Sequence, residues 1–442
     1  MTTIPRTDTS LFGQWWWTVD RWTVFALAAI VGIAIGLESS LRKDTSELPV
    51  YTRAAARMLA GDPIYRPNED KPFTYPPFFA LPFVPLSRLH EQLARALWFL
   101  ANVAMLGLVL LLLARTVRPT LHAARRLGRG PPLWLFWTTV LVLAGRHLAA
   151  VFSNQSHDMV ILTALTLLVI AAGRKREFES GTWAGFGAAC KATPLLFLPL
   201  FVWQRRWRAA VACAVVTAAL LLLPDLVTPQ KSGISWLRSW YDAFLSQVEP
   251  GQTAEATGAW GRWNILNQNL TGTIWRLSRA PHTLSPMHFD VRIWTPSDTT
   301  LRLVSYAMQL FVVAILGFAC LPRWTQNVTT RERTLRRLGE ASAIACGMVL
   351  LSPMSSKSHF CVLLLPATFC TLDLFYRRFD RALAALLVFA LLTGTLATKG
   401  IWGTRLGNEI LARGSVTWCA LALLLASAHV LFHRRDHGLR TA

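Results

Sequence analysis

Long apolar runs separated by short basic linkers dominate the hydrophobic pattern of this chain. The runs fall at residues 22–38, 92–114, 133–152, 157–173, 181–190, 194–204, 208–225, 302–321, 335–352, 359–376, 380–397 and 415–433. Most can cross about 30 Å of hydrocarbon as helices that rise about 1.5 Å per residue. The runs 181–190 and 194–204 are shorter, so we expect them to extend into their polar ends or form a kinked hairpin. The pattern predicts an all-α, polytopic membrane protein with about twelve transmembrane helices in one domain, 1–442.

Composition and charge support a membrane protein over a soluble one. Of 442 residues, 53% are hydrophobic and 16% are charged, which is too apolar for an ordinary soluble fold. The 45 Lys and Arg residues outnumber the 24 Asp and Glu residues, but they gather in short clusters between the apolar runs, as the positive-inside rule describes. We therefore expect membrane lipids, and no nucleic acid, among the partners. The seven cysteines lie in or beside apolar runs without metal-site spacing, so we predict neither a disulfide nor a metal site from them.

The linkers predict the orientation of the chain. Basic linkers such as RKRE, QRRWR and YRRFDR are expected in the cytoplasm, with both termini inside. The first apolar run lacks a cleavage site and is expected to stay as an anchor in the inner (plasma) membrane. Two long loops, 39–91 and 226–301, then lie outside. We expect FTYPPFFALPFVPL in the first loop and SWLRSWYDAFL in the second to lie in the membrane interface.

Five polar clusters interrupt or border the apolar runs, all near the external face of this topology. They are Asp44 and Glu47; Arg146; Asn154, Gln155, His157 and Asp158; Lys191; and Lys357 with His359. Ionisable groups in a membrane protein face a cavity or a partner, because exposure to hydrocarbon costs several kcal/mol. The clusters therefore predict one polar cavity. Arg146, Lys191 and Lys357 supply positive charge suited to a phosphate, and Glu47 or Asp44 supplies a carboxylate suited to accept a proton from a hydroxyl.

Each of these residues also has a purely structural interpretation. Asp44 and Glu47 are suited to a helix N-terminus with Pro49 in its first turn. Lysines snorkel to lipid headgroups, Arg146 lies deep enough for a buried ion pair, and the histidines fit satisfied interface positions. The amides of SNQSHD and LNQNLTG are suited to tie loops to helix ends. The sequence leaves both interpretations open.

Five motifs, in order along the chain, resemble those of glycosyltransferase family 87. They are ELPVYTRAAARMLAGDPIYRP with FTYPPFFALPFVPL, SNQSHDMVILTALTLL, WAGFGAACKATPLLFLPLFVWQRRWRAA, LNQNLTG and LLSPMSSKSHFCVLLLP, from about residue 40 to residue 370. The resemblance implies a GT-C membrane fold, a polyprenyl-phosphate sugar donor and an extracytoplasmic active site with a carboxylate in the first external loop. The family's acidic-L-x-V-Y pattern places Glu47 where Asp is commoner. In the SP-x-S-W-x-H-H pattern, Ser356 and Ser358 replace family residues, and His359 carries over.

We therefore expect transfer of a single sugar, with mannose the expected one, to a hydroxyl of a lipid or glycan acceptor with inversion. Glu47 is the expected base, with Asp44 as its rival. The donor phosphate is expected to contact Arg146, Lys191, Lys357 and His359. The residues expected to bind the substrates are Tyr51, Asn154, Gln155, His157, Asp158, Asn267, Gln268 and Asn269. The chain has no DxD-type pair, so neither a metal nor another cofactor is expected.

Two other functions remain open from the sequence. A transporter or flippase of a lipid-linked or anionic solute would use the same cationic cavity without chemistry. A carrier, however, places functional charges near the bilayer midplane and on both sides of it, whereas these charges gather on one face beside the external loops. The other alternative is a different lipid-linked sugar or oligosaccharide transferase of related architecture.

Overall fold

The computed structural model describes residues 32–41, 47–128, 130–248, 260–281, 287–322, 329–377 and 379–437. The described part of the chain is helical and contains no β-strand. Its first nine α-helices are α1 (Gly32–Leu41), α2 (Leu48–Leu59), α3 (Val84–Ser87), α4 (Glu91–Arg126), α5 (Leu133–Asn154), α6 (Asp158–Gly173), α7 (Glu177–Cys190), α8 (Phe197–Trp203) and α9 (Trp207–Val227).

The second half of the described chain begins with two short helices outside the main apolar runs. In order, its helices are α10 (Trp236–Ala243), α11 (Leu270–Ser278), α12 (Asp298–Ala319), α13 (Thr330–Leu351), α14 (Leu364–Tyr376), α15 (Arg381–Ala390), α16 (Lys399–Ala412) and α17 (Ser415–His437). Tighter 3₁₀ turns at Pro77–Phe83, Thr193–Leu196 and Lys357–Leu363 precede α3, α8 and α14, and a π turn at Leu391–Leu396 follows α15.

Six helices of the described residues are long and apolar enough to cross a membrane. They are α4, α5, α9, α12, the continuous unit Lys357–Tyr376 and α17, and a seventh span is present if α15 with its π turn and α16 count as one bent unit. The prediction of a helical, polytopic membrane protein is confirmed. The count of about twelve spans is not confirmed, because α6 and α7 have 16 and 14 residues, fewer than the about 20 that a straight span needs.

Helix α7 packs very closely against α9. A Cβ atom built on Gly181 would lie 2.2 Å from the carbonyl oxygen of Ala209, and one built on Gly185 would lie 2.7 Å from that of Cys213. Only glycine permits backbones to approach in this way. As expected for the short run 181–190, α7 extends into its polar end and begins at Glu177. After α7 the chain turns sharply through Lys191 into Thr193–Leu196, so the α7–α9 contact fixes the position of that turn.

The basic linkers gather at one end of the helical bundle. The guanidinium of Arg331, at the start of α13, donates to the hydroxyl of Thr120 near the end of α4, at 3.2 Å. Tyr376, at the end of α14, donates to the carbonyl of Pro131 before α5, at 2.8 Å. These contacts join linkers that the charge pattern predicts on one side of the membrane. Glu47, Asn154, Asp158, Lys191 and Lys357 lie at the opposite helix ends.

The apolar segment of the first loop packs largely against the rest of the protein. Phe79 and Phe83, in the 3₁₀ turn Pro77–Phe83, are each 2% exposed and pack inside the protein. The two long loops also contact each other, because the indole of Trp240 in α10 donates to the carbonyl of Thr74 at 3.1 Å. The aromatic segment therefore forms part of the wall around the polar end of the bundle.

Candidate active site

Glu47 lies directly before α2, at the polar end of the bundle. Its backbone N–H donates to the carbonyl of Asn154 at 2.8 Å, which ties the start of α2 to the end of α5. The side chain makes no capping hydrogen bond to its own helix. One carboxylate oxygen lies 3.9 Å from the ammonium of Lys71, and the Glu47 side chain is 27% exposed. The carboxylate therefore lies beside a cation and is partly exposed at this end of the bundle. The rival residue Asp44 lies outside the described residues.

Tyr51 occupies the next turn of α2 and is completely buried. Its hydroxyl lies 3.1 Å from Nδ1 of His157, and its ring makes edge contacts with Tyr75 and Phe79. Burial raises the pKa of Tyr51 well above its ordinary value, and Tyr75 and the carboxylates of Glu47 and Asp158 raise it further. The phenol is therefore neutral, and it shares a hydrogen bond with Nδ1 of His157.

Asp158 and Lys191 form a buried ion pair, an arrangement that the sequence did not predict. The Lys191 ammonium lies 2.7 Å from the Asp158 carboxylate, with side chains 12% and 3% exposed, and Nε2 of His359 lies 4.0 Å from the same oxygen. The pair joins the start of α6 to the turn after α7. Its net charge is zero, so the positive charge of Lys191 is balanced by Asp158.

A small cavity adjoins this ion pair. Its walls include Asp158, Lys191, Ser355 and His359, and its volume is about 10 Å³, about the space that one water molecule needs. A sugar ring does not fit inside it. The ion pair is therefore more enclosed than the Glu47 side chain, which is 27% exposed, and the cavity has room for about one hydroxyl group.

Arg146 holds a broken helix. Its Nη1 atom donates to the carbonyls of Gly394 and Ala397, at 2.6 and 2.7 Å. These carbonyls belong to the π turn and to the 90° bend between α15 and α16, where the regular helical hydrogen bonds are interrupted. Carbonyl acceptors satisfy the donors of Arg146 without neutralising its charge.

Two lysines add to the positive charge of Arg146. Lys357, which begins the 3₁₀ turn Lys357–Leu363, lies within electrostatic reach of both Arg146 and Lys399 at the start of α16. No carboxylate of the described residues forms an ion pair with these three side chains. We call Arg146, Lys357 and Lys399 the cationic cluster. The turn that carries Lys357 also carries His359 beside the ion pair, so it connects the two polar groups.

The amides of LNQNLTG hold a loop in place. Asn269 caps α11 by accepting from the Gly272 N–H at 2.8 Å, and it donates to the carbonyl of Pro353 at 2.7 Å. Asn267 donates to Trp260 at 2.8 Å. Gln268 donates to the carbonyls of Ile265 and Leu411 at 2.7 and 2.8 Å. All three are buried, and their contacts position the segment that leads to Lys357 and His359.

Gln155 and Asn154 also make structural contacts. The Asn154 contact is the backbone hydrogen bond from Glu47 described above. Gln155 ends α5 in the left-handed conformation, with φ of +51°. Its side-chain amide donates to the carbonyl of Ser40 at 2.7 Å, and its own carbonyl accepts from the indole of Trp98 at 2.9 Å. The predicted site residues thus fall into three groups.

One group lies together and consists of Glu47, Tyr51, His157, Asp158, Lys191 and His359. A neighbouring group contains Arg146 and Lys357. The side-chain amides of the third group make contacts in the surrounding scaffold, and they belong to Gln155, Asn267, Gln268 and Asn269.

Sequence reasoning missed three residues of this region. Tyr75 lies in the apolar segment FTYPPFFALPFVPL, Lys71 lies two residues before it, and Lys399 lies in ATKG beyond the apolar run 380–397. Lys399 could have been identified from the sequence, because it is a charged residue directly beyond the predicted external end of an apolar run. Tyr75 has no such signal, because a buried tyrosine near a histidine is common in a protein core.

The helical spans define an integral membrane protein with a group of polar residues at one end of its bundle. The sequence profile of glycosyltransferase family 87 matches residues 73–353, more than half of the chain. The chain belongs to glycosyltransferase family 87 and is a membrane glycosyltransferase, which confirms the resemblance seen in its motifs.

Curated relatives match nearly the whole chain. A polyprenol-phosphate-mannose-dependent alpha-(1-2)-phosphatidylinositol mannoside mannosyltransferase of Mycolicibacterium smegmatis is 26% identical over 455 residues, 94% of this chain and 91% of the relative. The protein of the same description in Mycobacterium tuberculosis is 26% identical over 86% of this chain and 84% of its own length. Among solved structures, ArnT from Cupriavidus metallidurans bound to undecaprenyl phosphate matches with a TM-score of 0.40 and 14% identity, over 94% of this chain and 79% of ArnT.

Proposed function

We propose that this protein transfers one mannose from a polyprenyl-phosphate donor to a hydroxyl of a lipid or glycan acceptor, with inversion at the anomeric carbon. Two relatives that match over most of their length are described as polyprenol-phosphate-mannose-dependent mannosyltransferases that act on phosphatidylinositol mannosides. The observation that carries the mechanism is the presence of a partly exposed carboxylate, Glu47, at the same end of the bundle as the cationic cluster, which forms no ion pair with a carboxylate of the described residues.

In the proposed reaction, Glu47 accepts the proton of the acceptor hydroxyl as the oxygen attacks the anomeric carbon. The new carbon–oxygen bond forms while the bond from that carbon to the phosphate oxygen breaks. Both electrons of the broken bond leave with the polyprenyl phosphate. Because the phosphate is a good leaving group, one carboxylate suffices, whereas glycoside hydrolysis requires two.

The cationic cluster is the proposed binding site for the donor phosphate. The carbonyls of Gly394 and Ala397 hold the Arg146 guanidinium in place, and the cluster as a whole would stabilise the negative charge that increases on the departing phosphate. Lys191 is assigned a positioning role, because its charge is balanced by Asp158. His359, 4.0 Å from the same carboxylate, is proposed to orient the turn that carries Lys357.

Tyr51, His157 and Asp158 are the proposed contacts to the substrate hydroxyls. Nε2 of His157 and Oδ2 of Asp158 are buried and have no hydrogen-bond partner among the described residues. Such groups destabilise a protein unless a partner arrives, and a sugar or inositol hydroxyl is a suitable one. Asn267, Gln268 and Asn269 are proposed to act indirectly, through the loop they hold.

We also propose that the protein resides in the inner (plasma) membrane with the active site on the extracytoplasmic side. The basic linkers gather at the end opposite Glu47, and such linkers stay in the cytoplasm. A lipid-linked donor suits this side, since its polyprenyl chain remains in the bilayer while its sugar is presented at the surface.

The proposal is tested with purified protein, a panel of polyprenyl-phosphate sugars and a phosphatidylinositol mannoside acceptor. We expect release of free polyprenyl phosphate from the mannose donor only, and a product anomer inverted relative to the donor, measured by NMR. Nucleotide sugars should be inert, and Glu47→Gln protein is the control for contaminating activity. Turnover of a nucleotide sugar without turnover of any lipid-linked donor would contradict the donor assignment.

The transporter alternative has less support. Family membership favours the transferase, and the polar groups lie at one end of the bundle. In proteoliposomes that contain donor but no acceptor, a flippase would move the donor between leaflets, whereas the transferase leaves its distribution unchanged.

A further inference from the structure

A second group of ligand-type side chains lies at the other end of the bundle. Asp380 precedes α15, and His429 and His433 lie one turn apart on α17. One oxygen or nitrogen atom from each residue lies within 4.8 Å of those of the other two. The reaction proposed above uses none of these residues, and the sequence analysis predicted no metal site.

The distances fit a shared ion. Oδ2 of Asp380 lies 3.1 Å from Nε2 of His429, and the two imidazole rings are 4.1 Å apart between centroids. Two ligands bound to zinc at about 2.0–2.1 Å with tetrahedral angles are about 3.3 Å apart. Two histidines at positions i and i+4 also present their rings on one face of a helix, the spacing that helical zinc sites use.

Contacts behind the ligand atoms hold them in place. Oδ1 of Asp380 accepts from the N–H of Leu383 at 3.0 Å, which fixes the carboxylate at the start of α15. Nδ1 of His433 lies 3.1 Å from the carbonyl of His429. A proton on Nδ1 leaves the lone pair on Nε2 available for a metal, and ligating histidines commonly have such a carbonyl partner.

The donor atoms and their access also favour a metal ion. The two imidazoles offer nitrogen lone pairs and the Asp380 carboxylate offers oxygen lone pairs, which are the donor types that zinc sites use. His433 is exposed, and Asp380 and His429 are partly exposed, so an aqueous ion can reach all three.

We infer that Asp380, His429 and His433 bind a divalent transition-metal ion, zinc foremost, which links the start of α15 to α17. The two-nitrogen, one-oxygen set is typical of zinc sites with a fourth position for water. Since α15 leads into the bent unit that carries Lys399, the ion would stabilise an element of the donor-phosphate site from the opposite membrane face.

The test uses full-length protein purified without a polyhistidine tag, stripped with a chelator, and dialysed against zinc. We expect about one zinc ion per chain by elemental mass spectrometry, and a higher thermal midpoint with zinc than without. His433→Gln and Asp380→Asn should each weaken zinc binding about tenfold or more. Asparagine retains an oxygen that can accept from Leu383, so Asp380→Asn should keep the helix start.

His122→Ala is the matched control, because His122 is an exposed histidine near the end of α4 that contacts Arg118. It should bind zinc like the original protein. Magnesium should produce no stabilisation, since these nitrogen ligands do not suit it. If His433→Gln and Asp380→Asn bound zinc as well as the original protein, the zinc would be bound adventitiously at the surface. If none of the three proteins bound zinc, Asp380 and His429 would form only a hydrogen bond. Either result would overturn the inference.

Discussion

At the scale of single residues, the position of Glu47 determines what its removal should do. Glu47→Gln keeps the size and hydrogen bonding of the side chain but removes the proton acceptor. We expect turnover to fall about 10²- to 10⁴-fold with donor binding retained, because the base acts on the acceptor hydroxyl. Steady-state rates with the mannose donor and separate donor-binding measurements check this, and Glu47→Asp should retain part of the activity.

Two other carboxylates of the first loop serve as comparisons for Glu47. Asp70 is exposed, and Asp70→Asn should leave turnover nearly unchanged. Asp44→Asn should also have little effect. If Glu47→Gln were active and Asp44→Asn were inactive, Asp44 would be the base instead of Glu47. Full activity in both would mean that these carboxylates serve only as helix-end charges.

The Lys191–Asp158 pair gives a prediction about stability. Lys191→Met leaves a buried, uncompensated carboxylate, so we expect a loss of about 3–5 kcal/mol, seen as a lower thermal midpoint in detergent. The double variant Lys191→Met/Asp158→Asn should be more stable than Lys191→Met alone, because its buried groups are uncharged.

The exposed pair between Lys231 and Asp62 is the matched control for that experiment. Its side chains are 71% and 41% exposed, and exposed pairs contribute about 0–1 kcal/mol, so Lys231→Met should unfold at nearly the original temperature. If Lys191→Met unfolded normally yet bound donor about tenfold more weakly, Lys191 would regain the phosphate contact that the sequence predicted.

Lys399 tests the cationic cluster. Lys399→Ala should weaken donor binding about tenfold, the effect of removing one charged hydrogen bond to a phosphate, and should reduce turnover as well, because the phosphate is charged before and during the reaction. Arg405→Ala removes an exposed charge from the same helix and is the control. If both variants bound the donor as tightly as the original protein, Lys399 would not be part of the donor-phosphate site.

Residue identities could be predicted from the sequence more readily than their partners. Glu47, His359 and Lys357 were found because a charged group beside an apolar run is unusual. The pairing of Lys191 with Asp158 was not found, since the two residues are 33 positions apart and meet only through the packing of α6 and α7. The cationic cluster was incomplete for the same reason, because Lys399 approaches Lys357 only through a bend in the chain.

At the scale of elements, apolar runs predict helices well and breaks in them poorly. The run 208–225 corresponds closely to α9 (Trp207–Val227). The run 380–397 instead contains α15 and a π turn, followed by a 90° bend. Nothing in LLTGTLATKG requires that geometry locally. The carbonyls freed there are satisfied by Arg146, about 250 residues away in sequence, so the break is a tertiary feature.

The contact between α7 and α9 should tolerate no added carbon atom. Gly181→Ala places Cβ 2.2 Å from the carbonyl of Ala209 and 2.8 Å from Cβ of Ala212, so the helices must separate at a cost of about 1–3 kcal/mol. We expect a lower thermal midpoint and, because α7 positions Lys191, lower turnover.

Gly145→Ala is the control for this packing, since a Cβ at Gly145 of α5 meets nothing within 4 Å. Alanine has the higher helix propensity by up to about 1 kcal/mol, so this variant should be as stable as the original protein or more so. Equal stability of the two alanine variants would mean that α7 and α9 are less closely packed than the structure indicates.

At the scale of the whole molecule, the distribution of charge predicts the orientation of the active site. Arg174, between α6 and α7, is exposed at the basic end, whereas Asn68 is exposed in the first loop near Glu47. The seven native cysteines are all buried with free thiols, so small replacements can give a cysteine-free background. In intact cells, Asn68→Cys should react with a membrane-impermeant thiol reagent and Arg174→Cys should not. Arg174→Cys should react once the membrane is permeabilised, which checks that its thiol is accessible. Labelling of Arg174→Cys but not of Asn68→Cys in intact cells would show that the orientation is the reverse of the proposed one. Glu47 would then lie in the cytoplasm, and there would be no reason for a donor presented on the outer face.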